Sequence, residues 1–487
     1  MLSSLIFKRF ISNKKKSVSV IGSGPSGFYT VCRLLSKSPV PLAVTLWEKL
    51  PIPFGLSRYG VAPDHPEVKN CEDTFTECAG KYLLGQGQKH TFQFRGNVTI
   101  GQDVKLKQLL DTQDAVVLCY GCSGDHKLGI PGEDTTKGVF TSREFVNWYN
   151  GHPDFARSKR FENFDWKHVK NVGIIGNGNV ALDIARVLLS NRREEIWAGT
   201  DINPLALDLL RSAPVENVKL IARRDFIHSK FTNKEFRELW ELEKYGIKGI
   251  IQPEFYQPSQ FDMKSADRVF KRRVEMVSEY LKPYDLRKKN YKKFTPPADG
   301  FSRFWELDYL KSPLSISSDN EGYIKSLTLS RNELTSDNRV IQLDSRITYD
   351  IDLLVTSLGY GSKPLAEFGE LNIGFSKNHA ANKNGYVLDK NGAVFPDLYA
   401  CGWIRKGSSG VIASTMMDAF EVADNIIKEL ESQKITKSGK IDLSDVKYTT
   451  WEDWEKIDEE EKIRGRNLNK PRLKFLSRSD MLTFLDK

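Results

Sequence analysis

Runs of β-branched and other apolar residues recur along this chain, and two of them run straight into glycine turns followed by helical spacing. Val18-Ser19-Val20-Ile21 leads into Gly22-Ser23-Gly24-Pro25-Ser26-Gly27, a helical pattern covers 28–35, and a second strand at 42–47 ends on Glu48. Strand, tight turn, helix, strand and acid in that order predict a βαβ unit. The pattern returns at Val172-Gly173-Ile174-Ile175-Gly176-Asn177-Gly178-Asn179-Val180-Ala181, with a helix at 182–189, a polar insertion at 190–216 and a strand at 218–222. Residues 98–104 read as a strand and turn, and 115–121 and 349–359 as strands that end in glycine. Helical spacing marks 265–281 and 416–430, and the charged tail 451–487 reads as short helices. The fold class predicted is α/β, with two Rossmann-like dinucleotide-binding units.

At 487 residues the chain exceeds what one core supports, which predicts two or three domains. Its 40% hydrophobic and 28% charged fractions are those of an ordinary globular protein. No apolar run approaches the roughly 18 residues of a membrane span. Cys32, Cys71, Cys78, Cys119, Cys122 and Cys401 lack paired zinc-ligand spacing and are too sparse for a disulfide framework, so free thiols in a reducing compartment are expected. Cys119 and Cys122 form a Cys-x-x-Cys, but Cys119 lies inside an apolar run, and a buried strand residue is expected rather than a redox pair. Residues 1–16 carry Lys8, Arg9, Lys14, Lys15 and Lys16 among apolar residues, and the first acid of the chain is Glu48. Such a basic, acid-free leader predicts a mitochondrial targeting segment.

The two glycine motifs carry the chemistry. In the first, Gly22 permits the sharp turn, Gly24 lets the backbone approach a pyrophosphate, and Gly27 lets helix and strand pack closely; Pro25 and Ser26 complete the loop. Glu48 lies 21 residues after Gly27, where an acid bonds the ribose of an adenosine. The second motif has alanine in its last place, and its following strand ends on Arg223-Arg224 rather than on an acid. Planar guanidinium forks match a 2′-phosphate, which predicts NADPH over NADH. The loop 49–70 is too rich in proline and glycine for regular structure yet carries Phe54, Leu56, Tyr59 and Val61, so it is expected to fold over a flat apolar ligand. Net charge is +9, with a basic helix at 265–281 and a lysine run at 287–293. Neither a Ser-His-Asp order nor a metal-ligand cluster competes for the site.

Pro51-Ile52-Pro53-Phe54-Gly55-Leu56 followed by Tyr59-Gly60-Val61-Ala62-Pro63-Asp64-His65-Pro66-Glu67-Val68-Lys69-Asn70 resembles the adrenodoxin reductase family, the mitochondrial NADPH:ferredoxin reductases. Arg303-Phe304-Trp305-Glu306-Leu307, Gly402-Trp403 and Gly410-Val411-Ile412 add to the likeness, which covers nearly the whole chain from Val18. The resemblance implies a glutathione-reductase-like flavoprotein that passes a hydride from NADPH to FAD and then single electrons to an acidic [2Fe–2S] ferredoxin. It implies FAD contacts at Leu56, Val104, Trp403, Gly410, Val411 and Ile412 beside the first motif. For NADP it implies Asn177, Gly178, Asn179, Val180, Glu235 and a shared Gly410 beside the arginines. Asp183 and His65 map onto residues near the reacting ring, and Arg268, Lys271, Arg272 and Arg273 onto the ferredoxin-docking helix. Residues 17–116 and 356–487 are then expected to form the FAD domain, with an NADP domain at 117–355 inserted. A monomer in the mitochondrial matrix, with peripheral contact with the inner membrane and no nucleic-acid partner, completes the expectation. A glutamate-synthase-small-subunit-like reductase shares both motifs but carries an N-terminal cysteine-rich region absent here. A silent flavoprotein scaffold would show a damaged second motif, whereas Gly176, Gly178, Arg223 and Arg224 are in place.

Overall fold

The computed structural model describes residues 14–83, 88–434, 436–437 and 439–487. Most of the basic leader lies outside the described residues. In chain order, the first unit consists of β1 (Lys16–Ile21), α1 (Pro25–Lys37), β2 (Leu42–Trp47), α2 (Cys71–Tyr82), β3 (Thr91–Arg95) and β4 (Ala115–Leu118). The chain then builds β5 (Val139–Thr141), β6 (Asn171–Ile175), α3 (Asn179–Leu189), β7 (Asn217–Ile221), α4 (Asn233–Glu241), β8 (Ile247–Ile251), α5 (Arg268–Tyr280) and β9 (Arg303–Asp308). Next come β10 (Lys311–Ser318), β11 (Ile324–Leu334), β12 (Val340–Asp350) and β13 (Leu353–Thr356). It finishes with β14 (Asn382–Lys383), β15 (Tyr386–Leu388), β16 (Val394–Ala400), α6 (Ile412–Ser432), α7 (Trp451–Arg466) and α8 (Arg478–Leu485).

Two sheets organise these elements. The first has the order β14-β15-β16-β4-β1-β2-β3, so strands from both chain ends share it. Its centre is parallel, β1 pairing with β2 and β4, and β16 with β4. The second has the order β5-β13-β6-β7-β9-β8 and is parallel throughout. Strands covered on both faces lose the alternation of a half-exposed sheet, and β4 and β13 are accordingly buried along their whole length. The antiparallel β10-β11-β12 sheet packs on the second through Ile316, Leu327 and Leu329 against Ile175 and Ile221.

The structure departs from the expected elements in three places. Residues 98–104 form only a turn closed by an Ile100–Val104 bridge, not a strand. The run 349–359 is broken: Tyr349 and Asp350 end antiparallel β12, and β13 then enters the parallel sheet. The polar insertion at 190–216 contains the helix Pro204–Ser212, and its Trp197, Ala206 and Leu210 are fully buried in the core of the second unit. A sparse apolar stripe among charges suffices to seat a helix.

The tail folds back on the first unit. Trp451 and Trp454 of α7 meet Phe54 edge-on at centroid distances of 6.3 and 5.4 Å, while Phe28 of α1 stacks on Phe75 of α2 at 4.9 Å. This aromatic layer supports the loop 49–70 from beneath.

Candidate functional site

Both glycine motifs sit at the carboxyl end of a central parallel strand, opening a helix. Gly22 has φ +104°, and a Cβ there would lie 2.6 Å from the Tyr120 backbone. Gly176 repeats this with φ +124°, and a Cβ there would lie 2.2 Å from the Ser357 carbonyl oxygen. Only glycine fits either turn. A Cβ on Gly27 would strike the Gly22 carbonyl, so α1 can approach β1 closely only with glycine there. By contrast a Cβ on Gly24 or on Gly178 would meet nothing within 4 Å. Those are the N-cap residues of α1 and α3, and neither helix start is capped by a side chain. An open cradle at an uncapped helix N-terminus fits a phosphate group.

Glu48 follows β2, and its Oε2 accepts bonds from Ser23 N (3.0 Å) and Ser23 Oγ (2.8 Å) while Oε1 accepts from Leu50 N (3.1 Å). The carboxylate is thereby fixed beside the Gly22–Gly24 loop with lone pairs to spare for ribose hydroxyls. Pro25 and Ser26 are buried at the start of α1, where Ser26 Oγ bonds the Cys119 carbonyl at 3.3 Å. Gly55 comes within 3.3 Å of Gly24 when given a Cβ, which puts the half-exposed Leu56 beside the loop. Val104 is buried with Trp47 and Val98 under the end of β2.

Trp403 opens a short helix after β16, its ring 5.9 Å from Tyr360. Gly410 has φ +86°, Val411 is the N-cap of α6, and Ile412 its first residue. Val411 and Met417 are 49% and 64% exposed, large apolar side chains left open beside an uncapped helix start. A flat apolar ring with a polar edge fits that surface. Asp418 carries no sequence signal, yet it is buried here, accepting from Gly402 N at 2.6 Å and pairing with Arg405 at 2.7 Å.

In the second unit Asn177, Gly178, Asn179 and Val180 line the half-exposed turn into α3. Asn179 Oδ1 accepts from Thr232 N at 2.8 Å, fixing the start of α4. Arg223 is exposed and Arg224 half-buried, and among the described residues neither guanidinium has an acidic partner. Glu235 is half-buried with Oε2 unpaired, and burial, with Asp183 and Glu238 nearby, raises its pKa.

The loop 64–69 joins the two units. Asp64 pairs with Arg186 (2.7 Å), His65 with Glu238 (2.6 Å), Glu67 with Lys234 (2.7 Å) and Lys69 with Asp201 (2.8 Å). Asp183 lies 2.9 Å from the same Arg186, with its pKa raised by burial against that cation. His65 and Asp183 thus share one network, while sequence spacing gave no sign of Arg186 or Glu238.

Arg268, Lys271 and Arg272 stand exposed on the first turns of α5, where the Asp267 side chain caps Phe270 N at 2.7 Å. Arg273 does not join them. It is buried, donating to the Ser229 and Phe231 carbonyls at 3.1 and 2.8 Å, and so holds α5 onto the start of α4. One residue step turns a helix by about 100°, which separates Arg273 from the outward face. Cys119 and Cys122 do not pair either: Cys119 is buried, and Cys122 Sγ lies 3.2 Å from Ser362 Oγ.

No protein-family model matches the chain. A "Probable NADPH:adrenodoxin oxidoreductase, mitochondrial" of Saccharomyces cerevisiae is 62% identical over 97% of this chain and 98% of its own length. The human "NADPH:adrenodoxin oxidoreductase, mitochondrial" is 34% identical over 97% of this chain and 92% of its own. Among solved structures, Mycobacterium tuberculosis FprA in complex with NADPH superposes with a TM-score of 0.81 at 30% identity, covering 96% of this chain and 99% of that one.

Proposed function

The chain belongs to the NADPH:adrenodoxin oxidoreductase family, and from that premise we propose an enzyme that moves electrons from NADPH through FAD to an acidic [2Fe–2S] ferredoxin of the adrenodoxin type. Bound flavin supplies the conversion of one hydride into two single-electron transfers. The chain's own residues bind, orient and exclude water. Gly22, Gly24, Pro25, Ser26 and Gly27 cradle the FAD pyrophosphate, Glu48 takes its ribose, and Leu56, Val104, Trp403, Val411 and Ile412 enclose the rest. Asn177, Gly178, Asn179, Val180, Glu235 and Gly410 receive NADPH, with Arg223 and Arg224 on its 2′-phosphate. His65 and Asp183 order the junction between the two sites through Arg186.

The observation that carries this reading is the pair of open, uncapped glycine cradles, one followed by a fixed carboxylate and the other by two guanidiniums with no acidic partner among the described residues. It fits two different dinucleotides on one chain. Arg268, Lys271 and Arg272 form the docking face, because an exposed cationic cluster complements an acidic carrier and steers its approach. The FAD domain comprises the first sheet and the tail, the NADP domain the second sheet between them. The enzyme acts as a monomer in the mitochondrial matrix, with peripheral contact with the inner membrane.

The deciding experiment is cytochrome c reduction with NADPH or NADH, with and without an acidic [2Fe–2S] ferredoxin. Fast reduction that needs both NADPH and ferredoxin is expected. Flavin bleaching by NADPH without any ferredoxin effect would transfer the acceptor role to a small molecule or a disulfide.

A further inference from the structure

The strand end that carries Arg223 and Arg224 is held by a part of the chain outside the dinucleotide fold. Three consecutive carbonyls are bound there. Ala222 O accepts from Lys311 N (3.1 Å), Arg224 O from Leu310 N (3.3 Å), and Arg223 O, between them, from Asn332 Nδ2 (2.9 Å). Two of these donors are main chain, which any residue supplies. The middle one is a side chain, and it comes from β11, more than a hundred residues away in sequence.

Local structure explains how it gets there. The β11–β12 ladder shifts register between Ser330 and Asn332, and along β11 the burial alternation slips at the same place, Leu329 and Ser330 both being buried. Such a bulge re-aims the side chain that follows it. Asn332 therefore points inward and is 4% exposed, beneath the exposed Arg223. Its amide has a second anchor, Nδ2 also lying 2.9 Å from Ser312 Oγ. An amide suits the place because it offers two N–H donors, one for a carbonyl and one for a hydroxyl. A carboxylate would turn acceptors towards the Arg223 carbonyl.

We propose that Asn332 is the positioning residue of the 2′-phosphate clamp: by fixing the Arg223 carbonyl from behind, it sets the backbone from which both guanidiniums reach the phosphate. The role rests on the NADPH reading of Arg223 and Arg224. Asn332 does not touch the nucleotide; it acts through the orientation of Arg223, so its loss weakens recognition of the phosphate and leaves recognition of the rest of the cofactor intact.

The test is equilibrium binding of 2′,5′-ADP and of 5′-ADP to the FAD-loaded enzyme, for the wild type, Asn332→Leu, Asn332→Asp and Ser312→Ala. Losing the buried bond to the Arg223 carbonyl, together with its Ser312 anchor, is expected to weaken 2′,5′-ADP binding about five- to tenfold in Asn332→Leu, more in Asn332→Asp, and about twofold in Ser312→Ala, where only the anchor goes. Binding of 5′-ADP and flavin content should stay at the wild-type level in all of them. The KM for NADPH should rise in parallel while that for NADH does not. An equal loss for both probes would make Asn332 a general support of the fold and overturn the proposal, as would unchanged 2′,5′-ADP binding in Asn332→Leu. Should Asn332→Leu and Asn332→Asp fail to fold, Ser312→Ala decides alone on the same criterion. If the wild type itself does not prefer 2′,5′-ADP, it is the NADPH reading that fails.

Discussion

His65 Nε2 lies 2.6 Å from Glu238 Oε2, joining the loop after β2 of the first nucleotide fold to a helix of the second. Burial by itself would depress the imidazole pKa. The Glu238 bond and the carboxylates of Asp64 and Asp183 outweigh that and the Arg186 charge, so the pKa is raised above its ordinary value. A folded-state pKa above the unfolded one means stability that is fully present below about pH 6.5 and is lost as pH rises through the folded value. His65→Gln should therefore lower the unfolding temperature most near pH 6, and the difference from wild type should shrink towards pH 8. A difference that does not change with pH would show that the pair is a neutral hydrogen bond throughout.

Arg223 and Arg224 have no carboxylate to neutralise them among the described residues. Charge-assisted bonds to phosphate are roughly twice as strong as neutral ones, so removing both should be costly for NADPH alone. Arg223→Ala with Arg224→Ala is expected to raise the NADPH KM by at least about a hundredfold, at about 1.5–3 kcal/mol for each of the two charged contacts, with the NADH KM within about twofold of wild type. Steady-state kinetics with both nucleotides checks this.

The docking face should reveal itself through salt. Arg268→Glu with Arg272→Glu is expected to raise the KM for an acidic ferredoxin by at least about tenfold and to flatten its dependence on ionic strength, because steering by exposed charges fades beyond a Debye length. Arg273→Lys, by contrast, should lower thermal stability through the lost carbonyl contacts without changing the salt slope. A titration of KM against ionic strength for each variant separates the two roles.

That contrast shows where sequence stops being legible. The glycine motifs, Glu48 and the arginine pair were readable because each depends on neighbours within a few residues, and a turn with φ above +100° admits hardly anything but glycine. Arg272 and Arg273 are identical in type and adjacent, and only the packing of α5 on α4 tells that one faces water and the other two carbonyls. Asp418 and Glu238 were hidden for a related reason. Their partners, Gly402 and His65, lie 16 and 173 residues away, and no local pattern encodes a contact across that distance. The insertion at 190–216 misled because its few apolar residues, Trp197 and Leu210 among them, are spaced among charges.

Arg58 and Glu461 pose the sharpest energetic test. Their side chains are 1% and 0% exposed, and they link the loop 49–70 to α7 of the tail. Glu461 also accepts from Phe475 N at 3.0 Å and lies 3.4 Å from Arg472, while the Arg58 guanidinium sits 5.1 Å from the Trp454 ring. Removing one member of a buried pair leaves an uncompensated charge and costs about 3–5 kcal/mol, whereas replacing both by apolar groups of similar size is often near neutral. Arg472 still faces Glu461 in the single variant, so Arg58→Met alone should destabilise by somewhat less than that amount in urea unfolding followed by tryptophan fluorescence, and Arg58→Met with Glu461→Leu by less still. Arg472 sets a condition on the second result. It loses Glu461 in the double variant but keeps Asp458, so recovery should be partial. Because the loop passes Gly24, the single variant should also release FAD more readily, seen as less flavin per protein after gel filtration. If the double variant were as unstable as the single one, the loss would come from the cavity left by Arg58 rather than from a stranded carboxylate.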